Sequence, residues 1–355
     1  MRLFPRDRDL SQPVERAELV VRASDLNLPV EDVHIRLDAF LQRALPWRSR
    51  TSIQALIREG YVLIEAAAPD RPAGAGELVE EHRPGRRLLH NSRVVVVIPE
   101  PLRIQRSTSS AADLSVLYED DVLIAVDKPP GLPVHPSGRH LSDTLIQRVY
   151  VHWNLGEARR EDRIKLCHRL DKETSGVVLL AKDPTSHAAV MRQFEDRLVE
   201  KEYLAIVRGH PEADSGTVDT DLGPAPGSEV RLKMATVAHG LPSRTDWRVL
   251  ERYEDCALVL CRLHTGRQHQ IRVHMASIGL PLVGDKLYGV DEQVFLRASA
   301  GELSRRDQLE LGLPRHALHA HRLALTSPKD GSSLEIKSPL PEDLVQYLAQ
   351  RERLS

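Results

Sequence analysis

The sequence predicts an α+β protein, with a mixed, largely antiparallel sheet flanked by helices and a small N-terminal α/β domain before it. Two observations carry this prediction. After residue 114, strand-like runs outnumber helices and do not alternate with them in regular βαβ units. Before residue 100, two amphipathic helical segments are followed by two strand-like runs. With 355 residues the chain is also longer than one hydrophobic core usually serves, so we expect two domains.

The N-terminal domain is predicted over residues 34–100, after a polar, loose extension at 1–33. A first helix over 36–47 ends at a proline, and a second helix begins in SRTS and closes at Gly60. The runs YVLIE and RVVVVIPE have the composition of strands. The apolar side chains that these helices place on one face are Leu37, Phe40, Leu41, Leu45, Ile53, Leu56 and Ile57.

The two predicted helices carry more arginines than acids, which by charge alone fits a solvated helix pair. The order of the motifs RLD, SR and IREGYV favours another interpretation, because it resembles the S-four-type RNA-binding domain of ribosomal proteins and RNA-modifying enzymes. The segment 66–92, rich in proline, glycine and alanine, departs from the compact form of that domain. The resemblance implies that the helices present arginines to RNA phosphates, namely Arg36, Arg48, Arg50 and Arg58.

A polar, Ser/Thr-rich stretch at 101–113 predicts a linker, and the second domain is predicted over 114–355. The run VVLLAKD at 177–183 has the character of a buried strand, and a helix is expected over 186–198. Further strand-like runs follow between residues 201 and 328. Together they predict the large sheet of this domain.

Composition limits the classes of function. The net charge is −2 and aromatic residues make up only 4% of the chain, so nucleic-acid binding would rely on local basic patches. The three cysteines lack CxxC spacing, which favours a reducing, cytoplasmic setting. The sequence has no apolar run of transmembrane length, no signal-peptide core and no phosphate-binding glycine motif. We therefore expect neither membrane association nor a nucleotide cofactor.

Two stretches are candidates for chemistry. HRLDKETSG at 168–176 places Asp171 beside Arg169, which fits either a solvated turn with an ion pair or a catalytic loop with an ionised carboxylate. CRLHTGRQHQIRVHM at 261–275 contains three arginines, three histidines and no acid, as an anion-binding surface would, and it could be a strand or the start of a helix. Its histidines are five residues apart, which metal sites do not favour, and no GxSxG motif occurs. We therefore expect neither a metal site nor a hydrolase.

Five blocks of the second domain, taken together, resemble the RluA-type family of pseudouridine synthases. They are LYEDDVLIAVDKPPGLPVHP (117–136), HRLDKETSGVVLLAKD (168–183), KEYLAIVRG (201–209), LHTGRQHQIRVHMASIGLPLVGDKLYG (263–289) and ALHAHRLAL (317–325). The blocks occur in the order that the family has. The resemblance implies a pseudouridine synthase core, in which an active-site cleft crosses a mixed sheet, often with an S-four-type domain before it.

The resemblance also implies roles by motif position. Asp171 matches the catalytic aspartate, and Arg272 matches the arginine that pairs with that carboxylate. Tyr203 matches the tyrosine that packs on the uracil and helps to remove a proton. Arg169 matches the arginine that enters the base stack when the target nucleotide flips out. Two residues of the TGRQHQ run are implied to shape the substrate side of the cleft, Arg267 and His269.

The implied reaction isomerises specific uridines of structured RNA to pseudouridine, without a metal or other cofactor. A leading S-four-type domain favours large-subunit ribosomal RNA as the substrate. Transfer RNA is the alternative substrate, and a catalytically idle RNA-binding or ribosome-assembly factor is the alternative function; we expect a monomer. Three departures from the family pattern bear on the RNA target rather than the reaction: Cys167 before the HRLD block, a charged insertion at 290–316, and TSP at 326–328.

Overall fold

The computed structural model describes residues 16–26, 28–45, 50–65, 76–99, 114–135, 143–153 and 164–354. The chain divides into two compact units, one of residues 1–113 and 133–161 and the other of residues 114–132 and 162–355. The predicted linker at 101–113 lies outside the described residues, so the domain boundaries stay a prediction. Within the described residues, every helix is too short or too polar to span a membrane.

The first unit contains a small antiparallel sheet and several short helices. Its strands are β1 (Arg16–Val20), β2 (Ile35–Arg36), β3 (Val62–Glu65), β4 (Val79–Glu80), β5 (Arg87–Leu88) and β6 (Arg93–Val97). Its helices are α1 (Ala23–Leu26), α2 (Leu37–Ala44), α3 (Arg50–Arg58) and α4 (Leu145–His152), with a 3-10 turn at Val30–Asp32. The sheet has the order β1-β6-β3-β4, and β2 pairs with β5.

The two amphipathic helices predicted for this unit are confirmed as α2 and α3. The seven apolar residues predicted for their inner faces are at most 1% exposed and belong to one core cluster. Gly60 follows α3 with a φ of 82°, in the left-handed region that glycine enters without steric cost. The hydrophobic spacing of the helices was therefore a sufficient signal for their position and for the faces that they bury.

The N-terminal segment differs from the prediction of a loose extension, because residues 16–20 form β1. This strand pairs with β6 over its full length, from Arg16 opposite Val97 to Val20 opposite Arg93. Ala17 and Leu19 are buried in the core of the unit. With only two buried apolar positions in five residues, the alternation was too short to stand out from the polar residues around it.

The second unit is built on a large sheet. Its strands are β7 (Ser115–Glu119), β8 (Leu123–Lys128), β9 (Lys165–Leu166), β10 (Ser175–Ala181), β11 (Glu200–Arg208), β12 (Ser215–Asp219), β13 (Leu222–Pro224), β14 (Met234–Thr236), β15 (Arg244–Tyr253), β16 (Cys256–Leu263), β17 (Leu318–Thr326), β18 (Ser333–Lys337) and β19 (Arg353–Leu354). The main path is β12-β15-β16-β11-β17-β10-β8-β7, while β18, β19 and β9 pair with β17, β15 and β10. The strands β13 and β14 form a separate hairpin.

Five helices accompany this sheet. They are α5 (Pro184–Glu195), α6 (Gln270–Ser277), α7 (Glu292–Ala300), α8 (Arg305–Leu311) and α9 (Glu342–Ala349). The pair β10–β17 is parallel, and the other pairs along the main path are antiparallel. Apolar clusters cover both faces of the sheet, one with α6 and another with α9. The predicted fold class, a mixed and largely antiparallel sheet flanked by helices, is confirmed.

Two segments that the sequence left open now have a definite structure. The basic stretch 261–275 is the end of β16, a loop and the start of α6, so both interpretations hold for different parts of it. The charged segment 290–316 contains α7 and α8. Ser304 and Asp307 form a capping box that starts α8.

The parallel contact between β10 and β17 brings the HRLDKETSG loop against a central strand. Ser175 and Gly176 of β10 lie opposite His319 and Ala320 of β17. Gly176 has a φ of 107°, and a Cβ atom at this position would lie 2.2 Å from the carbonyl oxygen of Ala320. Only glycine lets the two backbones approach so closely, so this residue fixes where the loop meets the sheet.

We predict that Gly176→Ala lowers the free energy of unfolding by about 3 kcal/mol, because left-handed backbone strain and a steric clash add together. The matched control is Gly301→Ala, since Gly301 is also left-handed (φ 78°) but has open space where its Cβ would be. That variant should lose only about 1 kcal/mol. Urea denaturation measures both values, and equal losses would mean that the approach of β10 to β17 is not tight.

Candidate active site

The loop that carries Asp171 connects β9 to β10, and a buried lysine holds its backbone just after Asp171. The Nζ of Lys128 donates hydrogen bonds to the carbonyl oxygens of Pro129 and Leu132, both at 2.9 Å, and of Lys172 at 3.0 Å. The backbone N–H of Gly131 also donates to Lys172 O, at 2.9 Å. Three carbonyls satisfy the three donors of the ammonium group, so Lys128 fixes the backbone next to Asp171.

The C-terminal side of the loop is held by Glu173. Its carboxylate accepts hydrogen bonds from Lys286 Nζ at 2.7 Å and from the backbone N–H of His316 at 3.2 Å. The neighbouring Thr174 hydroxyl lies 2.8 Å from the Nε2 of His316, so adjacent residues of the loop contact the same histidine. Gly284 has a φ of 74°, and its Cβ would lie 1.9 Å from the carbonyl oxygen of Arg315. The segments around residues 284 and 316 therefore form a close-packed base beneath the loop.

Asp171 is paired with Arg272, which α6 supplies from its first turn. The guanidinium Nη1 donates to Asp171 Oδ2 at 3.1 Å. Its other side is occupied by Asp285, since Nε donates to Asp285 Oδ2 at 2.7 Å and Nη2 to Asp285 Oδ1 at 2.9 Å. Asp285 also accepts the backbone N–H groups of Leu287 and Tyr288, at 2.9 and 3.2 Å. The two-point bond to Asp285 sets the plane of the guanidinium and points Nη1 at Asp171.

This pairing keeps Asp171 ionised. Burial alone would raise the pKa of its carboxyl group, but the charge of His269, which is protonated in the acidic range where Asp171 titrates, and the charge of Arg272 outweigh burial and hold that pKa below its usual range. Burial lowers the pKa of His269 to about 4, so the imidazole is neutral at pH 7 and the arginine supplies the positive charge. The Asp171 side chain is 29% exposed, which leaves one edge of the carboxylate open to a reactant.

The pKa of the more deeply buried Asp285 is also set by burial acting against a neighbouring positive charge. Burial would raise the pKa of its carboxyl group, and the charge and hydrogen bonds of Arg272 lower it to about 2. Because of Asp285 and Asp171, the pKa of Arg272 is raised despite burial. The site therefore holds two carboxylates on one guanidinium, of which only Asp171 faces outward.

Tyr203 lies close enough to Asp171 to respond to its charge. Burial and that charge raise the pKa of the phenol, so Tyr203 stays protonated at neutral pH. On β11, Tyr203 pairs with Cys261 of β16 and Ala320 of β17, and a register shift between Glu202 and Tyr203 interrupts the ladder with β17. A register shift of this kind can change the direction of a side chain, which suits a residue of the candidate active site.

The other residues predicted for this site flank the Asp171–Arg272 pair. Arg169 is exposed, and its charge contributes to the lowered pKa of His269, after burial and Arg272. The Nε2 of His269 lies 3.8 Å from Asp171 Oδ2. Arg267 has a buried Nε that finds no hydrogen-bond partner among the described residues. His168, the first residue of the HRLDKETSG run, accepts the Leu179 N–H at 3.0 Å and orients the loop.

The arginines predicted to bind RNA belong to the first unit. Arg36 and Arg50 both donate to Asp38, and their side chains remain 47% and 58% exposed. The exposed Arg58 donates to Gln54 at 3.3 Å, and Gln54 in turn donates to Asp38. The buried Asp38 thus gathers basic side chains from the end of β2 and from α3. Arg48 lies outside the described residues, and contact of these arginines with RNA stays a prediction.

Sequence reasoning missed several residues that complete the site. Asp285 and Tyr288 lay within the GDKLYG run but received no role, and the same holds for Lys128 in DKPPG. A signal for Asp285 was present: an acid that follows the apolar run LPLVG is expected to be buried, and a buried carboxylate needs a cation. What could not be seen was that Arg272 is that cation, because the contact depends on the path of the chain after α6.

A protein-family model covers three of the site residues. The model described as RNA pseudouridylate synthase matches residues 122–277, which include Asp171, Tyr203 and Arg272. A solved structure titled Human RNA Pseudouridylate Synthase Domain Containing 1 has a TM-score of 0.54 and 28% identity, covering 70% of this chain and 91% of that one. The fold and the site define an enzyme that forms pseudouridine in RNA.

Similarity to curated relatives extends over nearly the whole chain. The ribosomal large subunit pseudouridine synthase D of Nitrosomonas europaea is 36% identical over 326 residues, which is 91% of this chain and 86% of the relative. The protein of the same name from Neisseria meningitidis serogroup B is 35% identical, over 91% of this chain and 80% of the relative. The chain belongs to the RluA-type family of RNA pseudouridine synthases.

We predict that Asp285→Asn lowers the free energy of unfolding by about 3 kcal/mol, because it breaks a buried ion pair and leaves Arg272 with Asp171 as its remaining carboxylate partner. It should also reduce turnover per folded molecule by more than about tenfold, since the guanidinium is no longer aimed at Asp171. Denaturation and pseudouridine formation on the same preparation measure both effects.

A matched control is Asp307→Asn in α8, which removes another aspartate that accepts two hydrogen bonds from one arginine, Arg297. It should leave turnover per folded molecule unchanged. If Asp285→Asn and Asp307→Asn reduce turnover equally, Asp285 acts on stability alone.

Proposed function

We propose that this enzyme isomerises specific uridines of large-subunit ribosomal RNA, with Asp171 as the catalytic group. The observation that carries the proposal is the Asp171–Arg272 contact at 3.1 Å, backed by Asp285. It supplies an ionised, oriented and partly exposed carboxylate, the state that a nucleophile or a base requires. The relatives named above carry large-subunit ribosomal RNA in their names, which supports this RNA as the substrate.

The reaction breaks the bond between N1 of uracil and the sugar, turns the base and forms a bond from carbon-5 to the same sugar carbon. The proton on carbon-5 is lost and N1 gains one, so no electrons are exchanged with another molecule. A carboxylate is sufficient for this chemistry, either as a nucleophile toward the base or sugar or as a base at the sugar. Because Arg272 keeps Asp171 ionised, the Asp171 carboxylate can act in any of these ways.

Tyr203 contributes as a neutral phenol. Its pKa is raised by burial and by Asp171, so the resting hydroxyl is a hydrogen-bond donor and not a base. The flat ring offers a surface for the uracil to pack on. We therefore assign Tyr203 the role of holding the uracil while it rotates. We do not assign it the role of proton acceptor in the resting enzyme.

Arg169 supports extrusion of the target nucleotide. A uridine inside structured RNA must leave its stack before a side chain reaches it, at a cost of a few kcal/mol. Arg169 is exposed and stands two residues before Asp171 in the same loop. A guanidinium stacks and hydrogen-bonds at the same time, so Arg169 is suited to fill the space that the base leaves.

We assign RNA affinity in part to the first unit. Arg36 at the end of β2 and Arg50 and Arg58 on α3 are exposed, with Asp38 and Gln54 fixing their directions. Phosphate contacts from such residues give salt-dependent, sequence-independent affinity. The S-four-type resemblance of this segment supports that role.

The three cysteines are buried and free, which fits action in the reducing cytoplasm.

The test uses ribosomal and transfer RNA labelled with tritium at carbon-5 of uracil, since each pseudouridine formed releases one tritium. Wild-type enzyme should release tritium from large-subunit ribosomal RNA. Asp171→Asn should release it at least about a thousandfold more slowly, while its RNA dissociation constant changes less than about threefold. Loss of the nucleophile or base removes chemistry and leaves the binding contacts in place.

The matched control is Asp214→Asn, because the Asp214 side chain is 90% exposed and pairs with Arg252. It should retain full activity. Near-normal turnover by Asp171→Asn would refute the assignment of Asp171. Release from transfer RNA alone would overturn the ribosomal target, and no release from either RNA would favour an RNA-binding factor without catalysis.

A further inference from the structure

His269 has an unusual backbone conformation at the edge of the site. It precedes α6 with a φ of 56° and a ψ of 18°, in the left-handed region that residues with a side chain enter rarely. Such a conformation persists only where surrounding contacts impose it, and it is common at functional sites. The contacts that surround this ring therefore show what the conformation achieves.

The imidazole of His269 bridges two groups. Its Nδ1 lies 2.8 Å from the hydroxyl oxygen of Tyr288, and its Nε2 lies 3.8 Å from Asp171 Oδ2. The Tyr288 hydroxyl also accepts the backbone N–H of Met234 at 2.9 Å. Tyr288 itself is held in place, because only 6% of it is exposed and the guanidinium of Arg272 lies 5.0 Å from its ring centre.

The protons at these contacts can be assigned from their partners. A phenol has one proton to donate, and the Met234 N–H already donates to its oxygen. Among the described residues, the acceptor that the structure gives for the Tyr288 proton is His269 Nδ1. If Nδ1 carried the proton instead, the buried phenol proton would have no acceptor, which costs free energy. Because the ring is neutral at pH 7, its own proton is then on Nε2.

We propose that Tyr288 is a positioning residue that fixes His269 as the Nε2–H tautomer, so that His269 offers a neutral N–H donor beside Asp171 to an oxygen of the reacting uridine. The distance of 3.8 Å to Asp171 Oδ2 is longer than a hydrogen bond, so the carboxylate does not use up this donor. A carbonyl oxygen of the uracil or a hydroxyl oxygen of the ribose is an acceptor of the required kind. That the ligand is a uridine rests on the proposed function, whereas the tautomer of His269 does not depend on it.

The tautomer is tested by long-range 1H–15N correlation spectra of the enzyme labelled with 15N at histidine, with His269 assigned from the His269→Gln spectrum. The two neutral tautomers give different correlation patterns, so the spectrum identifies the protonated nitrogen. We expect a protonated Nε2 in the wild type and a mixture of tautomers in Tyr288→Phe. A protonated Nδ1 in the wild type, or an unchanged pattern in Tyr288→Phe, would overturn the proposal.

The role in turnover is tested by a double-mutant cycle. Tyr288→Phe should lower kcat about tenfold with little change in KM, because the donor is misplaced. In His269→Gln the side-chain amide places an N–H near the position of Nε2 and has no tautomers. Adding Tyr288→Phe to that variant should therefore cost less than about twofold. Losses that simply multiply would contradict the proposal.

The control for loss of a buried tyrosine hydroxyl is Tyr347→Phe. Tyr347 is 8% exposed, and the guanidinium carbon of Arg351 lies 3.5 Å from its ring centre. Like Tyr288 it is a buried tyrosine beside an arginine, but it lies in a different apolar cluster. Its kcat should equal that of the wild type, and a tenfold loss there would overturn the specific role of Tyr288. If the proposed function itself fails, the wild type shows no turnover, whereas the spectra still report the tautomer.

Discussion

Arg272 places a permanent positive charge inside the second unit, where only 6% of the residue is exposed. A buried guanidinium must have acceptors for its donors, and a single carboxylate occupies only two of them. Asp285 takes Nε and Nη2, which leaves Nη1 for Asp171. The position of the Asp171 carboxylate thus follows from how the charge of Arg272 is satisfied, and the surrounding structure maintains this geometry.

Several elements meet at this ion pair, and each restrains a different part of it. Lys128 holds the carbonyl of Lys172, and Glu173 accepts the backbone N–H of His316, so two partly buried hydrogen bonds restrain the two residues that follow Asp171. Gly176 and Gly284 permit backbone approaches that a side chain would prevent. Asp171 can therefore be exposed at one edge and still be well positioned, because its backbone, and not only its side chain, is fixed.

Much of this arrangement could be predicted from the sequence, but different signals predicted different parts of it. Helical spacing located α2 and α3, whereas β1 was missed because two buried residues make too short an alternation. Asp171 and Arg272 are 101 residues apart, and only the resemblance of whole motifs brought them together. Asp285 and Tyr288 lay in a quoted run without a role, since their value depends on contacts across the loop after α6. Spacing reports local structure, whereas these partners are set by tertiary packing.

The central claim is that Arg272 holds Asp171 ionised, and the most direct test is the pKa of that carboxyl group in the free enzyme. It can be measured by 13C NMR titration of labelled aspartate carboxyl groups, with the resonance assigned by its loss in Asp171→Asn. We expect a midpoint below the ordinary value of about 3.9 in the wild type and a higher midpoint in Arg272→Gln. A wild-type midpoint at or above that value, or no change in Arg272→Gln, would contradict the account.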